Sequence, residues 1–190
     1  MTATARRDQL LDACGAIVDT EGFTSVTIDR VATECGVTRT VVYQQFGGLD
    51  GMLDALVQRS TVRAASAIEI SGPDEEEPSL RAVMEGVLKA VDSDPATWRM
   101  FLVAPRVGPA ALAENLDAGR ALIRARNEAV IDSRSAPGGQ DPELTARMLQ
   151  AMGDELVRLR LADPSVYTTE RILDQVERLG ALILGPEPQR

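Results

Sequence analysis

Apolar residues along this chain recur at i, i+3, i+4 and i+7, and strict apolar–polar alternation never persists. That one period excludes folds built on sheets, because a strand needs its apolar residues two apart to bury one face. Glycine and proline gather at a few points between the periodic runs, where they mark turns. The chain is therefore expected to be all-α. Helices are expected at about Thr4–Glu21, Ile28 to just before Gly36, Thr38–Phe46, Leu49–Ile70, Leu80–Val91, Pro95–Val103, Ala110–Ile131, Glu143–Leu161 and Thr169–Leu184. Polar or proline-flanked breaks lie at Ser71–Ser79, Pro105–Pro109 and Ser135–Pro142.

Composition then removes whole classes of chemistry. The 190 residues include no histidine, which excludes a Ser-His-Asp triad, a Cys-His pair and any imidazole metal ligand. Cys14 and Cys35 are too few for a cysteine-rich zinc site, and each reads as a small buried side chain. The acidic run Asp74–Glu77 lacks the spacing of a calcium loop and reads as a solvated turn, so no metal and no cofactor is expected. No nucleophile–base pair or phosphate loop is present, and an enzyme is not expected. Lys89 is the only lysine; the remaining basic residues are arginine, a bias typical of GC-rich bacterial genomes. No apolar run approaches the roughly 20 residues of a membrane span, and no targeting segment is visible. The chain reads as cytoplasmic, without a membrane partner.

The stretch Thr27–Phe46, TIDRVATECGVTRTVVYQQF, reads as a short helix, a glycine turn and a second short helix. This is the pattern of a helix-turn-helix. Thr27 caps the first helix and Ala32 is small where the two helices cross. Gly36 adopts the positive φ that the tight turn needs. Val37 fills the gap beneath the turn, and Val42 and Phe46 face the core. Thr38 can cap the second helix and also reach a phosphate.

On Gly22-Phe23, Thr27, Val31-Ala32, Cys35-Gly36-Val37-Thr38, Tyr43 and Phe46, the chain resembles the tetracycline-repressor-like (TetR) family of transcriptional regulators. The resemblance covers about a quarter of the chain; the remainder matches in length and helix count. It implies a three-helix DNA-binding domain over residues 1–48 and an effector-binding and dimerisation domain over residues 49–190. It also implies that Arg39, Thr40 and Gln44 contact bases, with Arg39 suited to guanine and Gln44 to adenine. Thr27, Thr38, Tyr43 and Gln45 would contact phosphates and set register. Leu49 stands where the family usually has lysine, Thr40 where glycine is frequent, and Gln45 where histidine is common.

The charge balance bears on that reading. The net charge is −9, and residues 1–50 hold four arginines against seven acids. Most of these acids fall on the first helix and its end, so they are expected to face away from DNA. The contact helix itself has Arg39 and no acid. Modest affinity with a shallow salt dependence is expected, the slope being roughly 0.9 per phosphate neutralised.

In the C-terminal part, Met84, Leu88, Trp98, Phe101, Leu116, Arg120 and Ile123 are the candidates for an effector pocket, largely apolar with a few polar groups. Any one of the apolar residues is more readily explained as core packing, since a bulky residue at helical spacing is usually packing. The last two helices carry apolar stripes on two sides, which calls for burial on two sides. The resemblance implies a homodimer through a four-helix bundle, with Met148, Met152, Leu156, Ile172, Val176, Leu179, Gly180 and Ile183 at the interface. The function expected is a ligand-responsive transcriptional repressor. As a homodimer it would bind a palindromic double-stranded DNA operator, and a small apolar effector would release it. The alternative is a helical interaction or dimerisation protein with weak or lost DNA binding.

Overall fold

The computed structural model describes residues 2–71, 79–102, 108–134 and 141–184. Among these the regular structure is entirely helical: α1 (Ala3–Glu21), a 3₁₀ turn (Phe23–Ser25), α2 (Ile28–Glu34), α3 (Arg39–Phe46), α4 (Leu49–Ser71), α5 (Leu80–Ser93), α6 (Pro95–Leu102), α7 (Ala110–Arg134), α8 (Pro142–Ala162) and α9 (Thr169–Leu184). The expected helices agree with these bounds to within a few residues. The acidic run Asp74–Glu77 and most of each expected break lie outside the described residues.

Local chemistry accounts for the helix starts. Thr2, Thr27, Ser79 and Asp141 each accept a backbone N–H with a side-chain oxygen, from Ala5, Arg30, Ala82 and Leu144 respectively. Each bond satisfies one of the donors that a helix N-terminus leaves unpaired. Pro142 then occupies the first position of α8, where its missing N–H costs nothing.

The chain divides into two compact units, one of Met1–Ala65 with Ala96–Leu116 and the other of Ser66–Pro95 with Asp117–Arg190. The division does not coincide with the boundary expected after residue 48, since the first unit takes α4 as far as Ala65 and also includes α6.

In the first unit the stripe Leu10, Leu11, Cys14, Ile17 and Val18 of α1 is buried, together with Phe23, Val31, Val42, Met52, Leu56 and Val57. Gly15 of α1 faces α4, where an added Cβ would make ordinary contact with Leu56 Cδ1 at 3.4 Å. Ion pairs fasten α1 to its neighbours, among them one to α4 and one to α6. Arg59 of α4 reaches Asp12 at 2.8 Å. Arg99 of α6 grips Asp19 through Nε and Nη2 at 2.6 and 2.8 Å. Burial pushes the Cys14 thiol up to about 12, so at neutral pH it is a packed, protonated side chain.

In the second unit α5 packs along α9. Met84 and Leu88 form one buried cluster with Ile172, Leu173 and Val176, flanked by Leu80, Val87, Leu156 and Tyr167. A second cluster joins Ile131 of α7 to Ala146 and Leu149 of α8, with Leu80, Met152 and Ile183 against it. Arg120 of α7 binds Asp154 of α8 through Nε and Nη2 at 3.0 and 2.8 Å, and Gln150 Nε2 donates to the same carboxylate at 3.1 Å.

This packing corrects part of the expected dimer surface. Ile172 and Val176 are 2% and 1% exposed inside their own subunit's cluster. Gly180 is buried beneath Leu80, whose Cδ1 would lie 3.1 Å from an added Cβ. Leu156, Met152 and Ile183 pack against the same two clusters. On α9, Ile172, Leu173, Val176 and Gly180 form one face turned toward α5, while Ile183 packs against the second cluster. Residues i, i+1, i+4 and i+8 span a single side of a helix. Leu179 is half-buried, and of the expected interface residues Met148 is the large exposed one.

Candidate nucleic-acid interface

Helices α2 and α3 are joined by a turn whose hydrogen bonds determine its shape. The N–H of Val37 donates to the Ala32 carbonyl (2.9 Å) and that of Gly36 to the Thr33 carbonyl (3.1 Å). These two bonds form a Schellman motif, which requires a left-handed residue just past the helix. Gly36 supplies it with φ 63°. Val31, Ala32 and Val42 are buried where the helices meet. The far end of α3 is tied to α1: the Arg7 guanidinium lies 4.4 Å from the centre of the Phe46 ring, and its Nη1 donates to the Gln45 carbonyl. A cation over an aromatic face together with a charged donor on a backbone carbonyl makes a firm tether.

Burial then sorts α3 by face. Val42 is fully buried, whereas Thr38, Arg39, Thr40, Tyr43 and Gln44 are exposed and Gln45 is half-buried. All seven residues expected to contact DNA belong to α3, its N-cap and the N-cap of α2. Thr27 accepts the Arg30 N–H at 3.2 Å, and its own hydroxyl proton is still available to donate. Thr38 has the extended backbone of an N-cap, but its side chain makes no capping hydrogen bond. That corrects the capping role expected of it and leaves the hydroxyl for another partner.

The electrostatics add one residue to the sequence expectation. The acids of the first helix were expected to face away; Asp29, which lies on α2 and not among them, pairs with Arg39 through both Nε and Nη2. The other arginines ahead of residue 50 are also engaged: Arg6 with Gln9, Arg7 with α3, and Arg30 with Glu21. The Arg30 hydrogen bond holds the Glu21 carboxyl below its ordinary value. Arg30 and Arg39 are thus compensated by carboxylates while Arg6 and Arg7 bind neutral groups, and exposed ion pairs of this kind add little stability. Leu49 opens α4 half-buried and brings no charge.

Read from sequence, Asp29 counts only as one of seven acids with no role at the site, although a signal exists. It sits at the second position of α2 and Arg39 at the first position of α3. Gly51 was also missed. A Cβ on it would lie 2.1 Å from the Phe46 carbonyl oxygen, so the α3–α4 turn closes only around glycine.

The expected pocket residues fall in different surroundings. Trp98, Phe101 and Leu116 belong to the first unit; Met84, Leu88, Arg120 and Ile123 belong to the second. Met84 and Leu88 are core against α9, Arg120 is paired with Asp154, and Ile123 is 49% exposed. The Trp98 indole N–H is buried without a hydrogen-bond partner.

Comparison with known proteins adds to this geometry. Residues 10–56 match the family model described as bacterial regulatory proteins, tetR family. The HTH-type transcriptional regulator BetI 2 of Chromohalobacter salexigens is 30% identical over 84 residues, which make up 44% of this chain and 41% of that protein. The match thus spans about two fifths of the length of such curated relatives. A TetR-like transcriptional regulator from Rhodococcus sp. RHA1 superposes with a TM-score of 0.78 at 22% identity, over 98% of this chain and 100% of that one. SmeT, in its complex with triclosan, superposes with a TM-score of 0.68 at 23% identity, over 98% of this chain and 99% of that one. At these identities the two superpositions speak for a shared fold. No described helix is long and apolar enough to cross a membrane.

Proposed function

Because the chain belongs to the TetR family of bacterial regulatory proteins, we propose that it is a ligand-responsive repressor that binds a palindromic operator as a homodimer. One observation carries this reading. Helix α3 buries Val42 and leaves Thr38, Arg39, Thr40, Tyr43 and Gln44 exposed, a polar row that packing does not require. Laid in a major groove, the first turn of α3 puts Arg39 and Thr40 at base edges, with Gln44 a turn further along. Thr27, Thr38, Tyr43 and Gln45 hold phosphates on either side. Two copies with their α3 helices about one DNA turn apart read an inverted repeat.

Repression is released by a small, largely apolar molecule. Support comes from the shared fold with SmeT, which holds triclosan. Such a ligand acts only through different affinities for the DNA-competent and DNA-incompetent states.

The test is selection of bound duplexes from a random library by the full chain. An inverted repeat is the expected product. Failure to enrich any sequence overturns the reading and favours a helical interaction module. Triclosan and other apolar compounds should raise the unfolding temperature and weaken the selected complex together. Compounds that raise it without affecting the complex would leave the release step without support.

A further inference from the structure

The pairing of Asp29 with Arg39 shows more than compensation of charge, because of which edge of the guanidinium it occupies. An arginine has five N–H donors: one on Nε and two on each terminal nitrogen. Asp29 takes the Nε edge, accepting from Nε and Nη2 of Arg39. The edge formed by Nη1 and the second hydrogen of Nη2 is left over. That is a complete fork of two parallel donors, the shape that guanine accepts at O6 and N7. Both side chains are well exposed, at 64% and 57%, so the fork is open to a ligand while the pair is intact.

We propose that Asp29 is the positioning residue for base readout. It holds Arg39 by one edge so that the other meets a single guanine in each half-site. This rests on the base-reading role of Arg39 proposed above. The geometry comes from the motif itself. Asp29 is the second residue of α2 and Arg39 the first of α3, and the Gly36 turn places both helix starts together. An unheld arginine on this surface is a long, flexible cation that swings to the nearest phosphate. It then adds affinity for any sequence and discriminates none. A held arginine gains direction, and its charge is cancelled by the carboxylate beside it. Asp29 thus exchanges non-specific attraction for selectivity, which accords with an N-terminal segment carrying more acid than base.

The test measures binding of the full-length chain to the library-selected operator, to operators altered at one base pair at a time, and to an unrelated duplex, at several salt concentrations. Arg39→Ala should lose roughly tenfold to a hundredfold of discrimination at one guanine per half-site. Asp29→Ala should lose discrimination at that same guanine and at no other position. It should bind the unrelated duplex more tightly than wild type, with a salt slope steeper by about one per subunit. Asp29→Asn keeps one acceptor and no charge. It should match Asp29→Ala in slope and lie between it and wild type in discrimination. The double variant should discriminate no worse than Arg39→Ala alone, since Asp29 acts through Arg39.

Unfolding midpoints near wild type establish that each variant is folded. If Arg39→Ala loses the guanine and Asp29→Ala keeps it, the positioning role is wrong and the base contact stands. If Asp29→Ala sharpens discrimination, Asp29 competes with DNA, and the proposal is overturned in the opposite sense. If Arg39→Ala loses nothing, the base-contact reading fails and takes the proposal with it.

Discussion

Gly51 shows how much a single missing methyl can decide. Alanine is the better helix former by roughly 1 kcal/mol, so on propensity alone Gly51→Ala in α4 would stabilise the chain. The carbonyl of Phe46 stands 2.1 Å from where that methyl would be, and it is backbone that cannot rotate away. Gly51→Ala is therefore expected to destabilise the protein by about 1–3 kcal/mol net, seen as a lower denaturant midpoint with an unchanged slope. A stabilised variant would show that the turn can relax. Asp163, between α8 and α9, gives a second test at this scale. Its carboxyl is held below the ordinary value first by the Ser165 hydroxyl and then by the Val166 and Ser165 N–H groups, with desolvation opposing them. A lowered folded pKa means that the unfolded chain binds the proton more readily, so this stabilisation is present above about pH 4 and lost as pH falls through the folded value. Asp163→Ala should accordingly lie below wild type in unfolding midpoint near neutrality, and the gap should close in acid. A gap that persists at pH 2 would assign it to packing. Neither residue announces itself in the sequence. A glycine in a helical run and an aspartate in a turn are both commonplace, and their partners are contacts that only the folded backbone creates.

Between elements, the legible and the illegible separate by range. The period of the apolar residues and the cap at Thr27 are local, and the helix bounds are legible from that period to within a few residues, while the caps at Ser79 and Asp141 lie in stretches read only as breaks. Which helix α9 packs against is not local: α5 covers Ile172, Leu173 and Val176, which a two-sided apolar pattern leaves open to a partner. The same pairing decides Leu88, offered by sequence as either pocket or core. It is fully buried against α9. Leu88→Ala should therefore cost about 2–5 kcal/mol, as for a close-packed leucine. Ile123→Ala, at 49% exposed, should stay within roughly 0.5 kcal/mol of wild type. A small effect of Leu88→Ala, with no loss of cooperativity, would show that the residue borders a space rather than a packed interior.

For the molecule as a whole, the proposed palindromic operator makes a demand on assembly, since a palindrome is read only by a pair. With Ile172, Val176 and Gly180 used inside the subunit, the apolar side chains left for a partner are those the two clusters do not cover. On α8, Leu144 and Met148 are 56% and 60% exposed and lie one turn apart on the same stripe; on α9, Leu182 is 80% exposed. Exposed leucine and methionine in register on one helix form a seam for a facing helix, and a two-fold axis would set each seam against its copy. The full chain is expected to sediment at twice its own mass. Replacing Leu144 and Met148 together by glutamate should return it to the single-chain mass with the unfolding transition intact, because neither residue belongs to a buried cluster. That variant should also lose the selected inverted repeat while retaining weak binding to an isolated half-site, since α3 is untouched and only the spacing of the two copies is gone. A variant that remains dimeric would move the interface away from this stripe of α8. A wild-type chain that sediments as one copy in the presence of its operator would remove the basis for a palindrome altogether.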